Sequence, residues 1–139
     1  MSCRARLQGN MLTNVRPLTS LQNLRALDVA RNRVASLAAI STLTALSHLS
    51  IEGNLLDSLA AVTALAALAE LYAGGNRLAT LRAIAPLAAL PALLVVDIQA
   101  CRLLPSASCL LPCLACDHVS RLAPCLSWRA LEGRRLFVF

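Results

Sequence analysis

Two groups of side chains in this sequence have the residue types that metal binding or acid–base catalysis requires. The first lies near the C-terminus and has the spacing C-x3-C-x2-C-x-H; it consists of Cys109, Cys113, Cys116 and His118. Thiolates and imidazole nitrogens are the usual ligands of tetrahedral zinc. A zinc site is therefore one hypothesis for this segment.

The surroundings of these cysteines favour a different role. The segment is rich in leucine and contains proline, whereas a zinc knuckle usually surrounds its ligands with glycine and polar residues. Reduced cysteine packs as a small hydrophobic residue, so a cap over the end of a core is the preferred interpretation, and no metal is assigned. Reversible acylation of the thiols is a further alternative.

The second group consists of His48 and Glu70, which are well separated in the sequence. An imidazole beside a carboxylate has the composition of an acid–base pair. However, no further catalytic partner can be assigned, and a flat sheet face offers no pocket that excludes water. The sequence therefore predicts no enzyme and no cofactor, and His48 with Glu70 is expected to form a solvated polar pair.

The separation of this pair equals one period of a repeat that covers most of the chain. The segments LDVARNRVASL, LSIEGNLLDSL and LYAGGNRLATL follow one another with a constant 22-residue period. The template is LxxLxLxxNxLxxLxxL. A partial copy surrounds Asn10, and another surrounds Cys101 after an interval that is longer by three residues. The extra residues are assigned to the segment that holds Pro86 and Pro91.

Each part of the template predicts a local structure. The LxL part has a period of two, so both leucines lie on one side of a strand. The LxxLxxL part has helical spacing and packs its apolar side onto the strand. One coil cannot bury both faces alone, but stacked coils share a continuous core. The sequence therefore predicts a solenoid with a parallel concave sheet and short helical or 3-10 turns on the convex side.

The asparagine follows each strand where the chain turns inward. Unpaired backbone groups buried in that turn would cost about 1–3 kcal/mol each, and an amide side chain supplies both donors and an acceptor. A structural ladder inside the turn is therefore expected, with a cysteine as its fifth member: Asn10, Asn32, Asn54, Asn76 and Cys101.

This template resembles the leucine-rich repeat family, most of all its short 22-residue class. That class includes a regulatory subunit of protein phosphatase 1, an axonemal dynein light chain and the bacterial internalins. The resemblance implies an α/β horseshoe arc over residues 1–104, with about five repeats of which the first is truncated. Residues 105–139 are expected to form a Cys/Leu-rich C-terminal cap, in which Trp128, Leu131, Phe137 and Phe139 cover the open end, or a poorly ordered tail.

The repeat also places the outward side chains of the strands in rows. One row is Arg6, Asp28, Ser50, Tyr72 and Asp97, and another is Arg4, Ala26, His48, Glu70 and Val95. The chain has 7 acidic residues and a net charge of +6, yet four of the acids fall on this face. Because tyrosine is enriched at interface hot spots, we predict a protein-binding face made of Asp28, Arg31, His48, Ser50, Glu52, Glu70, Tyr72 and Asp97.

These observations favour a non-enzymatic protein-binding scaffold or regulatory subunit. The resemblance implies partners such as a phosphatase catalytic subunit or a cytoskeletal or motor component. The alternative is a structural fragment or assembly component whose Cys-rich tail binds metal or is acylated, and which self-associates through uncapped ends.

Composition argues against other partners and compartments. Nucleic acid is not expected, because aromatic residues make up 3% and the 13 arginines are scattered. No stretch approaches the roughly 20 apolar residues of a membrane-spanning helix, and no signal peptide is recognised. A cytoplasmic location is therefore expected, with the nucleus or axoneme left open.

Overall fold

A parallel sheet runs through the whole structure, which is a computed structural model describing residues 3–99, 101 and 137–138. The sheet has 6 strands in the order of the chain, and every neighbouring pair is parallel. The strands are β1 (Cys3–Arg6), β2 (Leu24–Asp28), β3 (His48–Ser50), β4 (Glu70–Tyr72), β5 (Val95–Asp97) and β6 (Phe137–Val138). The predicted parallel sheet is therefore confirmed.

Short 3-10 helices return the chain along the opposite side of each coil. They span Arg16–Ser20, Ala38–Thr42, Ala60–Ala64 and Ala85–Ala89. Their inward residues Ile40, Val62 and Leu87 are buried and join one continuous aliphatic core with the mid-strand leucines. Within the described ranges, none of the helices combines the length and hydrophobicity needed to cross a bilayer.

The fourth coil accommodates its extra residues in a place that the sequence analysis did not predict. An unbroken repeat would start the last 3-10 helix at Arg82, one period after Ala60, but this helix spans Ala85–Ala89 and is preceded by a single α-helical turn, α1 (Leu81–Ile84). The insertion therefore lies before Pro86, and its assignment to the segment with Pro86 and Pro91 is wrong. An α-helical turn satisfies part of its own backbone, and Pro86 then occupies the first turn of the 3-10 helix, where an N–H would have no partner.

The asparagines after β2, β3 and β4 are buried and tie each coil to the one before it. The Asn54 side-chain amide donates to the carbonyl of Val29 in the preceding coil at 3.0 Å and to those of Ile51 and Glu52 in its own coil at 2.9 and 3.1 Å. Its oxygen accepts from the Val34 N–H, also in the preceding coil, at 3.0 Å. Asn32 and Asn76 repeat all four contacts.

The two ends of this ladder differ from its middle. Asn10 makes only the bonds to its own turn, to the carbonyls of Leu7 at 2.9 Å and Gln8 at 3.4 Å, and its side chain is exposed. This differs from the expectation of a buried amide, because Asn10 lies in the first described coil. At the other end, the Cys101 thiol donates to the Ala73 carbonyl at 3.5 Å. Burial raises the pKa of this thiol above its ordinary value, so Cys101 behaves as a packing residue.

The residue that precedes each ladder asparagine has a left-handed backbone conformation. Gly9, Gly53 and Gly75 have φ of 73°, 59° and 65°, and Arg31 occupies the equivalent position with φ of 54°. A side chain at such a φ is strained. Arg31 is therefore a costly exception within a row of glycines.

Replacing Arg31 with glycine is expected to raise the free energy of unfolding by about 0.5–1 kcal/mol, because glycine relieves the strain. Arg33 is also exposed but has no positive φ, so Arg33→Gly should lower the same quantity by about 0.5–1 kcal/mol. Urea denaturation of both variants checks this opposite sign. A decrease for both would show that the conformation of Arg31 carries no cost.

Candidate protein-binding face

The outward side of the sheet, here called the concave face, carries the two rows that the repeat predicts. Across β1 to β5 the strand register aligns Arg4, Ala26, His48, Glu70 and Val95, and likewise Arg6, Asp28, Ser50, Tyr72 and Asp97. Neighbouring strands lie about 4.8 Å apart, so side chains within a row are close enough to interact. Gln8, Glu52, Gly74 and Gln99 extend the face beyond the strand ends, whereas Ala30 at the equivalent position is only 2% exposed.

Two alanines at positions of this face, Ala26 and Ala30, are buried. Ala26 was predicted to be an exposed strand position, but it is only 7% exposed. Its methyl group is short, and the longer side chains of Arg4 and His48 stand on either side of it in the register. This row is therefore interrupted at Ala26, which lies between the exposed side chains of Arg4 and His48.

A chain of four contacting side chains, Ser47, His48, Glu70 and Tyr72, links β3 to β4. The Nε2 atom of His48 lies 3.3 Å from Oε1 of Glu70, and the Tyr72 hydroxyl donates to Oε2 of the same carboxylate at 3.2 Å. On the other side, Nδ1 of His48 lies 2.8 Å from Oγ of Ser47. The predicted pair of His48 and Glu70 is thus part of a longer arrangement that fixes Tyr72.

A connected serine, histidine and glutamate have the composition of a nucleophile and its base, but the hydroxyl hydrogen of Ser47 is directed away from the histidine. The Ser47 hydroxyl donates its single hydrogen to the Arg25 carbonyl at 2.9 Å, and the donor in its 2.8 Å contact with Nδ1 of His48 depends on the imidazole tautomer. A serine nucleophile must instead give its proton to the histidine. This arrangement orients side chains and does not activate Ser47.

Sequence reasoning did not find Ser47. It lies immediately before the strand residue His48, outside the alternating pattern that defines the rows, and its contact with His48 depends on side-chain rotamers. The only available signal was its position beside a histidine.

Two of the four acidic residues of the concave face are held by hydrogen bonds from backbone N–H groups, and three of the four have no cationic partner among the described residues. One carboxylate oxygen of Asp28 accepts the Ala30 N–H at 3.1 Å, and one of Asp97 accepts the Gln99 N–H at 2.9 Å. Glu52 follows β3. Among the described residues, the only ion pair within 4.0 Å is that of His48 with Glu70.

Arginines are nevertheless abundant in the same part of the chain. The described residues include eight of them, but none lies within ion-pair distance of a concave carboxylate. Arg31, predicted as part of the binding face, is exposed next to it and joins the neighbouring coil through its backbone N–H, which donates to the Glu52 carbonyl at 2.7 Å.

The pKa of the Tyr72 hydroxyl is sensitive to the charges of the nearby carboxylates. Its partial burial raises the pKa of its hydroxyl, and Glu70 raises this pKa further through its charge and its hydrogen bond, with additional effects of Asp97 and Glu52. Because Tyr72 is the only tyrosine of the chain, its ionisation can be followed without ambiguity.

The tyrosinate absorbance of the folded protein is expected to rise with a midpoint above the ordinary tyrosine pKa of 10.0. The proton is held more tightly in the folded state, so its contribution to stability is complete below about pH 10 and is lost as the pH rises through the folded pKa. Glu70→Gln should lower the midpoint. An unchanged midpoint would show that Glu70 does not act on Tyr72.

The weak metal candidates Cys109, Cys113, Cys116 and His118 lie outside the described residues. Within the described ranges, no group of three or more histidine, cysteine or acidic side chains is arranged to hold a metal ion.

These coils, with their parallel sheet, 3-10 returns and asparagine ladder, define a leucine-rich repeat solenoid. Two internalins of Listeria monocytogenes str. 4b F2365 have similar structures. Internalin C2 superposes with a TM-score of 0.71 and 27% identity, over 99% of this chain and 50% of its own. Internalin inlF superposes with a TM-score of 0.67 and 18% identity, over 76% of this chain and 34% of its own length. The resemblance to the leucine-rich repeat family is confirmed.

The chain spans a third to a half of the length of these internalins. No protein-family model matches the sequence, and no curated protein sequence matches it. The fold is typically a non-enzymatic protein-interaction scaffold, and this class of function is what the similarity supports.

Proposed function

We propose that this chain is a non-enzymatic scaffold or regulatory subunit that binds another protein through its concave face. The observation that carries the proposal is the set of carboxylates on that face without cationic partners. Asp28, Glu52 and Asp97 make no ion pair among the described residues, although the chain as a whole has a net charge of +6. Carboxylates of one sign on neighbouring strands repel one another, and a partner with complementary charge would relieve this repulsion.

Tyr72 provides the anchor of the proposed interface. It stands on β4 between Ser50 and Asp97 in the register, is half-buried, and is held by its hydrogen bond to Glu70. A tyrosine whose rotamer is already fixed loses little conformational entropy on binding. It therefore combines apolar contact area with a preorganised hydroxyl.

The surface can be tested with two charge reversals of the same size. Wild-type chain, Glu52→Arg and Asp57→Arg are used as baits in the source cells, and bound proteins are quantified by mass spectrometry. Glu52 lies on the concave face, whereas Asp57 is an exposed acid after the ladder turn. We expect at least one partner to be reduced about tenfold by Glu52→Arg and to be retained by Asp57→Arg.

Circular dichroism of both variants provides the control for folding. If the proteins bound by Glu52→Arg are the same in kind and amount as those bound by the wild type, the concave face is not the docking surface.

A further inference from the structure

At the start of β5 the concave face changes from polar to apolar side chains. We propose that this end of the face binds a segment of the partner protein that carries a large apolar side chain, such as leucine, and an arginine or lysine two residues away. The inference rests on the proposed function and specifies the chemistry of the partner at one part of that site.

The first argument is an exposed leucine that immediately precedes β5. Leu94 remains exposed although β6 pairs with this strand. Its backbone N–H donates to the carbonyl of Ala69 at 2.8 Å, and equivalent bonds join Ala69 to Ser47 at 2.9 Å and Ser47 to Arg25 at 2.8 Å. These four residues therefore occupy one position in successive coils, and only Leu94 fills it with a large apolar side chain.

Leu94 is not isolated, because the next residue also departs from its row. Val95 is half-buried and follows His48 and Glu70 in the strand register. Ser47, which is equivalent to Leu94, lies 2.8 Å from the outward imidazole of His48, so this position adjoins the row at the rim of the concave face. A single apolar side chain on a surface is ordinary, but two adjoining ones on a face proposed to bind protein resemble the apolar centre of an interface.

The second argument is a carboxylate at a fixed distance from these two side chains. Asp97 lies on the same side of β5 as Val95, two residues along the strand, so about 6.6–6.8 Å separates the two positions. One oxygen of Asp97 accepts the Gln99 N–H at 2.9 Å, and none of the described cationic side chains lies within 4.0 Å of the carboxylate. Alternate residues of an extended peptide have the same spacing. A segment whose apolar side chain rests on Leu94 and Val95 therefore brings a cation two residues away to Asp97.

Tyr72 borders both parts of this site. It pairs with Asp97 in the strand register, and its hydroxyl donates to Glu70, which pairs with Val95. Because this hydrogen bond orients the tyrosine before the partner arrives, an aromatic neighbour is already in place beside the apolar and the charged position.

A second copy of the chain does not supply the required segment. Apart from Leu94, the large hydrophobic side chains that are exposed among the described residues are Met11 and Leu21. The residues two positions away are Gly9 and Thr13 for Met11, and Thr19 and Asn23 for Leu21. None of them is cationic, so the occupant is a different protein.

The purified full chain, labelled with nitrogen-15, can be titrated with three blocked tripeptides while its amide NMR signals are followed. The tripeptides are Leu-Ser-Arg, Ser-Ser-Arg without the apolar side chain, and Leu-Ser-Glu with the opposite charge. We expect Leu-Ser-Arg to shift the signals of Val95 and Asp97 and to bind at least about threefold more tightly than either of the others.

Matched variants locate the apolar contact. Leu94→Ser should weaken binding of Leu-Ser-Arg at least about threefold, whereas Met11→Ser, which changes an exposed side chain outside the concave face, should leave it unchanged. The amide spectra of both variants show whether they are folded. Equal binding of the three tripeptides, or equal effects of the two variants, would overturn the inference.

Two further outcomes separate this inference from the proposed function. If no tripeptide shifts these signals but a cellular partner is still lost with Glu52→Arg, the concave face is a docking surface for another chemistry and the inference is wrong. If the wild-type chain is a dimer in sedimentation that Leu94→Ser dissociates, a second copy occupies this end of the face and the inference is equally overturned.

Discussion

Asn54→Ala is expected to lower the free energy of unfolding by about 2–4 kcal/mol, since it removes four hydrogen bonds from a buried turn and leaves one backbone group without any partner. The Val34 N–H loses its only acceptor. The carbonyls of Val29, Ile51 and Glu52 each lose one of their two donors. The Asn54 side chain is only 3% exposed, so water cannot replace these bonds without disturbing two coils. Because a domain of this size is stable by about 5–15 kcal/mol, much of its stability would be lost.

Asn10→Ala is the matched control for this experiment. Asn10 bonds only to its own turn and is exposed, so its removal should cost less than about 1 kcal/mol. Urea denaturation of both variants measures the difference. Equal midpoints would mean that the buried amide does not stabilise the stack, and that the bonds between coils are dispensable.

Leu49→Ala is expected to lower the free energy of unfolding by about 3 kcal/mol through the cavity that it leaves. Leu49 lies in the middle of β3, is fully buried, and is flanked in the sheet by Leu27 and Leu71. Coils on both sides hold the surrounding atoms in place, so the cavity cannot collapse easily. Thermal unfolding followed by circular dichroism should show a clearly lower midpoint.

The control for this second variant is Leu94→Ala, which removes the same atoms from a side chain that is 48% exposed. Its cost should stay below about 1 kcal/mol. If the two substitutions were equally destabilising, burial in the stack would not be the source of the effect of Leu49.

The strand register was predictable because the repeat fixes it. A shift by one period aligns His48 with Glu70 and Ser50 with Tyr72, and the sheet contains both pairs. Counting residues could not decide where the insertion lies, because the pattern accepts leucine both before and within the helical turns. The conformation of Leu81–Ile84 resolves this choice.

Other features depended on the shapes of side chains or on distant parts of the chain. The burial of Ala26 depends on the longer side chains of Arg4 and His48 beside it, and the contact of Ser47 with His48 depends on the rotamers of these two residues. The pairing of β6 with β5 joins Phe137 to Val95, and nothing in the repeat period extends to it. The left-handed conformation at Arg31, by contrast, could have been read from the glycines at the equivalent positions.

The asparagine ladder gives the array a direction. Asn32, Asn54 and Asn76 reach back to complete the turn before them, and the N–H groups of Arg33, Leu55 and Arg77 do the same for the neighbouring carbonyls. The hydrogen bonds of each of these turns are thus completed by residues that are synthesised after the turn itself. A nascent chain of this kind grows with one incomplete loop always at its most recently made end, and newly made protein should gain resistance to protease in steps of one repeat.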